Sequence, residues 1–264
     1  MQIIRYTTRY RSEIEALLSL CFGMTARESR VMLDDAVANG DCLMLLSEDK
    51  PVSVALTKRV VLRFAGADCI GAYIFGLCTA PEHRGRGYAS SLIREACDSA
   101  GADFALLIPE TPDLFDFYEA LGFLPVGEGA AFTVAAGEYE SVSVLNGAEA
   151  YAAYAKAASE CGDICALSES DLAASAAIAP RVCVAGESGV CFVSADGAEA
   201  FAPRESVRAL AASALALCGV GSARVTAPPS CAPEDAEPVR IGLIKPLSGA
   251  PVPKSFYVNN LYNL

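Results

Sequence analysis

A mixed α/β fold in two domains is what this sequence predicts. Three observations carry that expectation. Strand-like apolar runs alternate with helical patterns through the first half of the chain, in the order β-α-α-β-β-β-α-β-α-β-β read from helix caps and turn residues. Between two of those runs lies the stretch from Gly76 to Ala100, which reads as a strand end, a glycine-rich loop and a helix start. A length of 264 residues accommodates one large or two ordinary domains, and Asn146-Gly147 marks a junction. The expected domains are residues 1–147 and 148–264.

Residues 1–7 form the first expected strand. Ser12-Glu13-Ile14-Glu15 has the pattern of a capping box, and Ile14, Leu17, Leu18 and Cys21 then recur on one helical face. Gly23 ends that helix. Thr25-Ala26-Arg27-Glu28 is a second capping box, opening a helix that Gly40 stops. Residues 42–47 and 52–64 are the arms of a hairpin around Glu48-Asp49-Lys50-Pro51, and Ala65-Gly66-Ala67-Asp68 turns the chain again. The run 69–78 is mostly apolar, as a central strand is. After the helix that reaches Ala100, residues 102–108 form a strand, 109–113 a loop and 114–121 a short helix closed by Gly122. Phe123 begins another strand, and 130–136 is the last of this half.

The second half carries an alanine-rich helix at 149–160 and a helical pattern at 164–178. A hairpin joins 182–185 to 190–193 around Gly186-Glu187-Ser188-Gly189. A helix at 206–217 is closed by Gly219, and a strand follows at 223–227. Residues 227–238 are a proline-rich loop, and closing strands are expected at 239–244 and 256–261.

The loop after residue 78 contains Arg84, Gly85, Arg86, Gly87, Tyr88 and Ala89. Two glycines allow a tight turn with uncovered N–H groups, and the helix start behind them carries free N–H groups and partial positive charge. Such a place receives anions, phosphate above all. A nucleotide-binding P-loop needs Lys then Ser or Thr after its last glycine, where Tyr88-Ala89 stands. A dinucleotide fingerprint needs a third glycine, where Ser90 stands. Arg84–Ala89 does match R/Q-x-x-G-x-G/A, and Phe117-Tyr118-Glu119-Ala120-Leu121-Gly122-Phe123 follows it as FYxxLGF. With both motifs in order and a strand between them, residues 1–147 resemble the GNAT N-acetyltransferase superfamily. The second half has neither motif, but its β-β-α-β-β order is similar to a degenerate copy of the same fold, as in tandem acetyltransferases.

The resemblance implies a mixed central sheet whose two middle parallel strands, 69–78 and 102–108, splay apart to hold acetyl-CoA. It implies that pantetheine pairs with the backbone of Leu77, Cys78 and Thr79, and that the pyrophosphate rests on residues 84–89. A backbone N–H near Leu77 would receive the developing oxyanion. Tyr118 occupies the general-acid position, although Phe115, Tyr118 and Leu121 also share a helical face suited to packing. The base is open: Glu110 comes first, with Glu28 and Asp113 competing. Where members of the family often place Asn after the second strand, this chain has Glu110-Thr111-Pro112. Cys78 reads as a packed thiol before an acetyl-cysteine nucleophile, and His83 as a solvent-facing residue.

Composition narrows the partners. A formal net charge of −12 argues against nucleic acid and suits a cationic acceptor, a small-molecule or protein amine. Eleven cysteines without CxxC spacing and a single histidine, His83, speak against a metal site and suit a reducing cytoplasm. No signal-peptide core or membrane-length apolar helix is expected. The readings that remain are an active N-acetyltransferase and, as the alternative, a non-catalytic acyl-CoA-binding regulatory module.

Overall fold

Apolar runs build the middle of each sheet here, and amphipathic runs build the helices that cover it. The computed structural model describes residues 2–249, 251 and 253–259. By their packing they divide into two units. The first contains residues 2–60, 69–124, 243–249 and 251, and the second 61–68, 125–242 and 253–259.

In the first unit, β1 (Gln2–Arg5) leads through a 3-10 turn at Thr8–Tyr10 into α1 (Arg11–Phe22). The expected Ser12 capping box does not form. The helix begins earlier, with Tyr10 at its N-cap and no side-chain cap. Tyr10 is buried and its hydroxyl donates to Asp49 at 2.6 Å, which pins the turn ahead of Ser12. The Thr25 box does form on α2 (Ala26–Asn39): the Glu28 N–H donates to Thr25 Oγ1 at 3.3 Å, and the Glu28 carboxylate accepts from the Thr25 N–H at 2.7 Å. Then come β2 (Gly40–Ser47), β3 (Lys50–Phe64), β4 (Ala67–Thr79), α3 (Tyr88–Ser99), β5 (Phe104–Leu107) and α4 (Leu114–Glu119).

The strand order is β1-β2-β3-β4-β5. The pairs β1–β2 and β2–β3 are antiparallel, and β4–β5 is parallel. A last strand, Leu243–Pro246, runs antiparallel to β5 from Leu243↔Leu107 to Pro246↔Phe104. One core packs Leu92, Ile93 and Ala96 of α3 with Ile74, Ala105, Leu107, Tyr118, Phe123 and Leu243. Elsewhere in this unit the buried ammonium of Lys58 binds Asp35 at 3.0 Å.

The second unit repeats the pattern. Its elements are β6 (Leu124–Ala135), β7 (Val142–Leu145), α5 (Gly147–Ser159), β8 (Ile164–Ala166), α6 (Glu169–Ile178), β9 (Val182–Gly186), β10 (Val190–Ser194), β11 (Gly197–Phe201), α7 (Val207–Leu217), β12 (Ser222–Ala227), β13 (Glu237–Pro246) and β14 (Phe256–Val258). The series β7-α5-α6-β9-β10-β11-α7-β12 duplicates β1-α1-α2-β2-β3-β4-α3-β5, with neighbours antiparallel until the parallel β11–β12 pair. Here β6 is the antiparallel strand beside β12, from Ser222↔Ala135 to Ala227↔Ala130. So the strand beside β5 and the strand beside β12 each follow the other repeat in the chain. That is why the strand after Phe123 packs from Pro125 onward in the second unit.

Several expectations need correcting in this half. The strands expected from Phe123 and at 130–136 are the single strand β6, and β7 was not expected. Residues 164–178 are not one helix: Ile164–Ala166 pair as β8 with β14 and with Val61–Arg63, and Ser168 then caps α6 through Asp171. Strand β11 was not expected, because Gly197 and Glu199 interrupt its apolar run. The strand expected at 256–261 ends at Val258, and 260–261 lie outside the described residues.

Candidate active site

The parallel pairing of β4 with β5 covers Gly71↔Phe104, Ala72↔Ala105 and Tyr73↔Leu106, then stops. β4 continues to Thr79 without β5 beside it, while the chain after Leu107 turns off at Pro109. The two strands therefore part, leaving the β5-side edge of residues 74–79 open. Gly76 lies on that stretch with φ +55°, a left-handed residue of the kind that forms bulges and bends strands. A Cβ there would press on Met32 Cε at 2.9 Å and on Leu56 at 3.0 Å, so glycine is required twice over.

Leu77, Cys78 and Thr79 end the strand. On the β3 side Ser53 Oγ donates to the Cys78 carbonyl at 2.8 Å and meets Thr79 Oγ1 at 2.8 Å. After a 3-10 turn at Pro81–His83 the loop runs through Arg84 to Gly87, all four residues exposed. Gly85 (φ +73°) and Gly87 (φ +76°) are both left-handed, and a Cβ on either would meet nothing within 4 Å. The space over the loop is thus open. Gly87 is the N-cap of α3, whose first turn has no side-chain cap, so its N–H groups keep their donors available. Arg84 Nε donates to the Thr79 carbonyl at 3.1 Å and Arg86 to the Glu82 carbonyl at 3.1 Å. Neither forms an ion pair among the described residues. The loop thus combines two positive charges without a carboxylate partner among the described residues, two bare glycines and an uncapped helix start.

Tyr88 and Ala89 open α3. The Tyr88 side chain is buried in the core, which leaves its backbone at the loop. His83 is not solvent-facing as expected: it is half-buried against Tyr88, ring centroids 6.3 Å apart, and its Nδ1 is buried without a partner.

Tyr118 projects from α4 into the cluster that contains Ile74 and Leu107, where the strands separate. It is 8% exposed and packs edge-on against Phe117 and Phe123. Its hydroxyl has no hydrogen-bond partner among the described residues. Burial, then the Glu110 charge, push its pKa up to about 12, so the phenol stays protonated at neutral pH. Glu110 itself is exposed on the loop after β5. Of its competitors, Glu28 is committed to the α2 cap, which holds its carboxyl below the usual range. Asp113 is exposed at the start of α4 and makes no cap bond.

Cys78 is buried, and contact with Cys21 pushes its thiol well above the usual range. That fits a packed thiol. Cys21 was missed by sequence reasoning: its Sγ lies 3.6 Å from the same Thr79 carbonyl that Arg84 holds. Contact with Cys78, and then with Arg84, lowers the Cys21 thiol to about 6. Ser53 was missed as well. Sheet pairing brings Ser53 and the docking of α1 brings Cys21 to the end of β4, and no spacing along the chain signals either.

The second unit keeps the strands but not the site. Between β11 and α7 stand Ala202-Pro203-Arg204-Glu205-Ser206, with no glycine and with a carboxylate at the fourth position. On β11 the buried Glu199 carboxylate accepts from the Tyr257 hydroxyl.

A sheet whose middle parallel strands part beside a glycine loop and an uncapped helix is the acyltransferase architecture that the two motifs imply. Residues 2–126 match the family model described as an acetyltransferase (GNAT) domain. The second unit repeats the element order of the first without either motif. By sequence, no curated protein matches the chain. Its fold is similar to that of a conserved Enterococcus faecalis V583 protein of unknown function, a probable N-acyltransferase, at 15% identity and TM-score 0.72, covering 94% of this chain and 73% of that one. A GCN5-related N-acetyltransferase from Kribbella flavida aligns at 18% identity and TM-score 0.69, over 94% and 71% of the two chains. Eis1 from Mycobacterium abscessus aligns at 15% identity and TM-score 0.64, over 94% and 74%. Among the described residues no helix is long and apolar enough to cross a membrane.

Proposed function

We propose that the first unit transfers an acetyl group from acetyl-CoA to a primary amine of a small molecule or protein, by direct attack in a ternary complex. The observation that carries this reading is the opening of β4 from β5 after Tyr73↔Leu106, with the glycine loop at the end of β4 and Tyr118 in the core beside the opening. The N–H groups of residues 85–89 and the side chains of Arg84 and Arg86 hold the coenzyme's pyrophosphate. The free edge at Leu77–Thr79 pairs with the pantetheine amides. Fit favours this: the ground above Gly85 and Gly87 is open, and neither guanidinium pairs with a carboxylate among the described residues.

The amine lone pair attacks the thioester carbonyl, a C–N bond forms and the C–S bond breaks. A backbone N–H after the left-handed Gly76 stabilises the carbonyl oxygen as it gains charge. Tyr118, kept protonated by burial, gives its proton to the departing thiolate. The ammonium proton leaves through water toward Glu110, the exposed carboxylate closest in effect to Tyr118.

The test is thiol release from acetyl-CoA across a panel of primary amines, run beside thermal unfolding with acetyl-CoA. A raised Tm with amine-dependent thiol release supports the reading. A raised Tm with no turnover on any amine points instead to an acyl-CoA-binding regulatory module. No Tm shift at millimolar coenzyme contradicts both.

A further inference from the structure

The second unit, which lacks the glycine loop, has a cavity of its own. It measures about 160 Å3 and lies between the start of α5, α6 and the strands β9 and β10. Leu145, Leu172 and Phe192 give it apolar walls, and Arg181 and Ser175 contribute polar groups.

Neither polar group has a direct partner among the described residues. Arg181 makes no hydrogen bond or ion pair there; burial presses its pKa down, and the charges of Glu199 and Asp196 only partly oppose that. Ser175 is 2% exposed, and its buried Oγ has no hydrogen-bond partner. A largely buried guanidinium without a direct ion pair and a buried hydroxyl without an acceptor each carry a desolvation cost that is not fully offset. A single carboxylate can accept from both, and a fork of guanidinium donors matches its geometry. The apolar walls call for hydrocarbon on the same molecule, and a cavity of about 150 Å3 holds a benzene ring. The exposed carboxylate of Glu169, which also lines the cavity, opposes a second negative charge and so disfavours phosphates and dicarboxylates.

We propose that this cavity binds a small monocarboxylate with an apolar body of about benzene size, its carboxylate on Arg181 and Ser175. The site shares no residue with the loop at 84–87 and does not depend on the reaction proposed for the first unit.

The experiment is thermal unfolding of the full chain with benzoate, phenylacetate and 4-methylpentanoate, with phenylacetamide and phenyl phosphate as matched controls. Tm should rise with carboxylate concentration and stay level with the controls. Arg181→Gln should remove the response while keeping the far-UV spectrum. If that variant does not fold, Ser175→Ala should shift the response to several-fold higher carboxylate concentration. Equal rises with phenylacetate and its amide, an undiminished response in the folded Arg181→Gln protein or, where that variant does not fold, in Ser175→Ala, or no rise with any of the carboxylates would overturn the proposal.

Discussion

The side chain of Arg84 donates from Nε to the main-chain carbonyl of Thr79 at 3.1 Å, folding the loop back on the last residue of β4. The left-handed turns at Gly85 and Gly87 permit that return. At Gly87 an added methyl would touch nothing within 4 Å, so a substitution there acts through the backbone alone. Gly87→Ala should cost about 1–2 kcal/mol. For a chain of this size that lowers Tm by roughly 2–4 °C per kcal/mol. Scanning calorimetry checks it, and an unchanged Tm would mean that the loop relaxes out of the left-handed region.

Tyr118 is a core aromatic with an unpartnered hydroxyl. Tyr118→Phe should slow turnover by about 10²–10⁴-fold and leave coenzyme affinity unchanged. The folded pKa near 12 lies above the ordinary value of 10.0. Its contribution to stability is therefore complete below pH 10 and is lost as pH climbs toward 12. The phenylalanine variant should lack that alkaline loss. Steady-state kinetics and unfolding at alkaline pH read the two effects separately, and undiminished turnover would remove Tyr118 from the reaction.

Cys21 should be the first of the eleven cysteines to react with iodoacetamide. Its thiol titrates at about 6, so its alkylation rate should rise through that pH and level off below the range of an ordinary thiol. Cys78, buried and shifted upward, should remain unmodified. Peptide mass spectrometry after timed quenching identifies the site. A rate that climbs only above about pH 8, as for a free thiol, contradicts the arrangement at the end of β4.

The Lys58–Asp35 pair is buried on both sides, with Asn39 Nδ2 donating to Asp35 at 2.8 Å. Asp35→Ala leaves the ammonium in the core without that carboxylate and should cost about 3–5 kcal/mol. Lys58→Met combined with Asp35→Leu should recover most of the loss, because the desolvation cost of both charges is then removed. Denaturant unfolding of the two proteins decides it. Equal destabilisation would make the site a packing constraint rather than an electrostatic one.

Local chemistry was legible and pairing was not. Thr25 and Glu28 announced a helix start because a capping box is written in four adjacent residues, and the structure has it. The left-handed turn at Gly87 and the helix behind it followed from residues 84–89 in the same way. Ser12 offered an equally good local signal and lost to Tyr10, whose bond to Asp49 crosses the sheet. Ile164 and Cys165 sit in a helical pattern but pair as a strand with Tyr257 and Val258, nearly a hundred residues away. The exchange of the last strands between repeats was invisible for the same reason: nothing in Leu124–Ala135 names Ser222–Ala227 as its partner. At the site, Tyr118 and the loop came from motifs, whereas Cys21 and Ser53 arrive through sheet pairing and helix docking.

The proposed grip of the loop on a coenzyme's diphosphate is tested most directly by calorimetric titration of coenzyme A and of pantetheine, which lacks the diphosphate. Both are titrated into the native protein and into Arg84→Ala. Native protein should bind coenzyme A far more tightly than pantetheine. The substitution should weaken coenzyme A by about 10- to 100-fold, one charge-assisted contact, and leave pantetheine unchanged. Equal affinity of the native protein for the two ligands, or an equal loss for both in the variant, would contradict the assignment of residues 84–89.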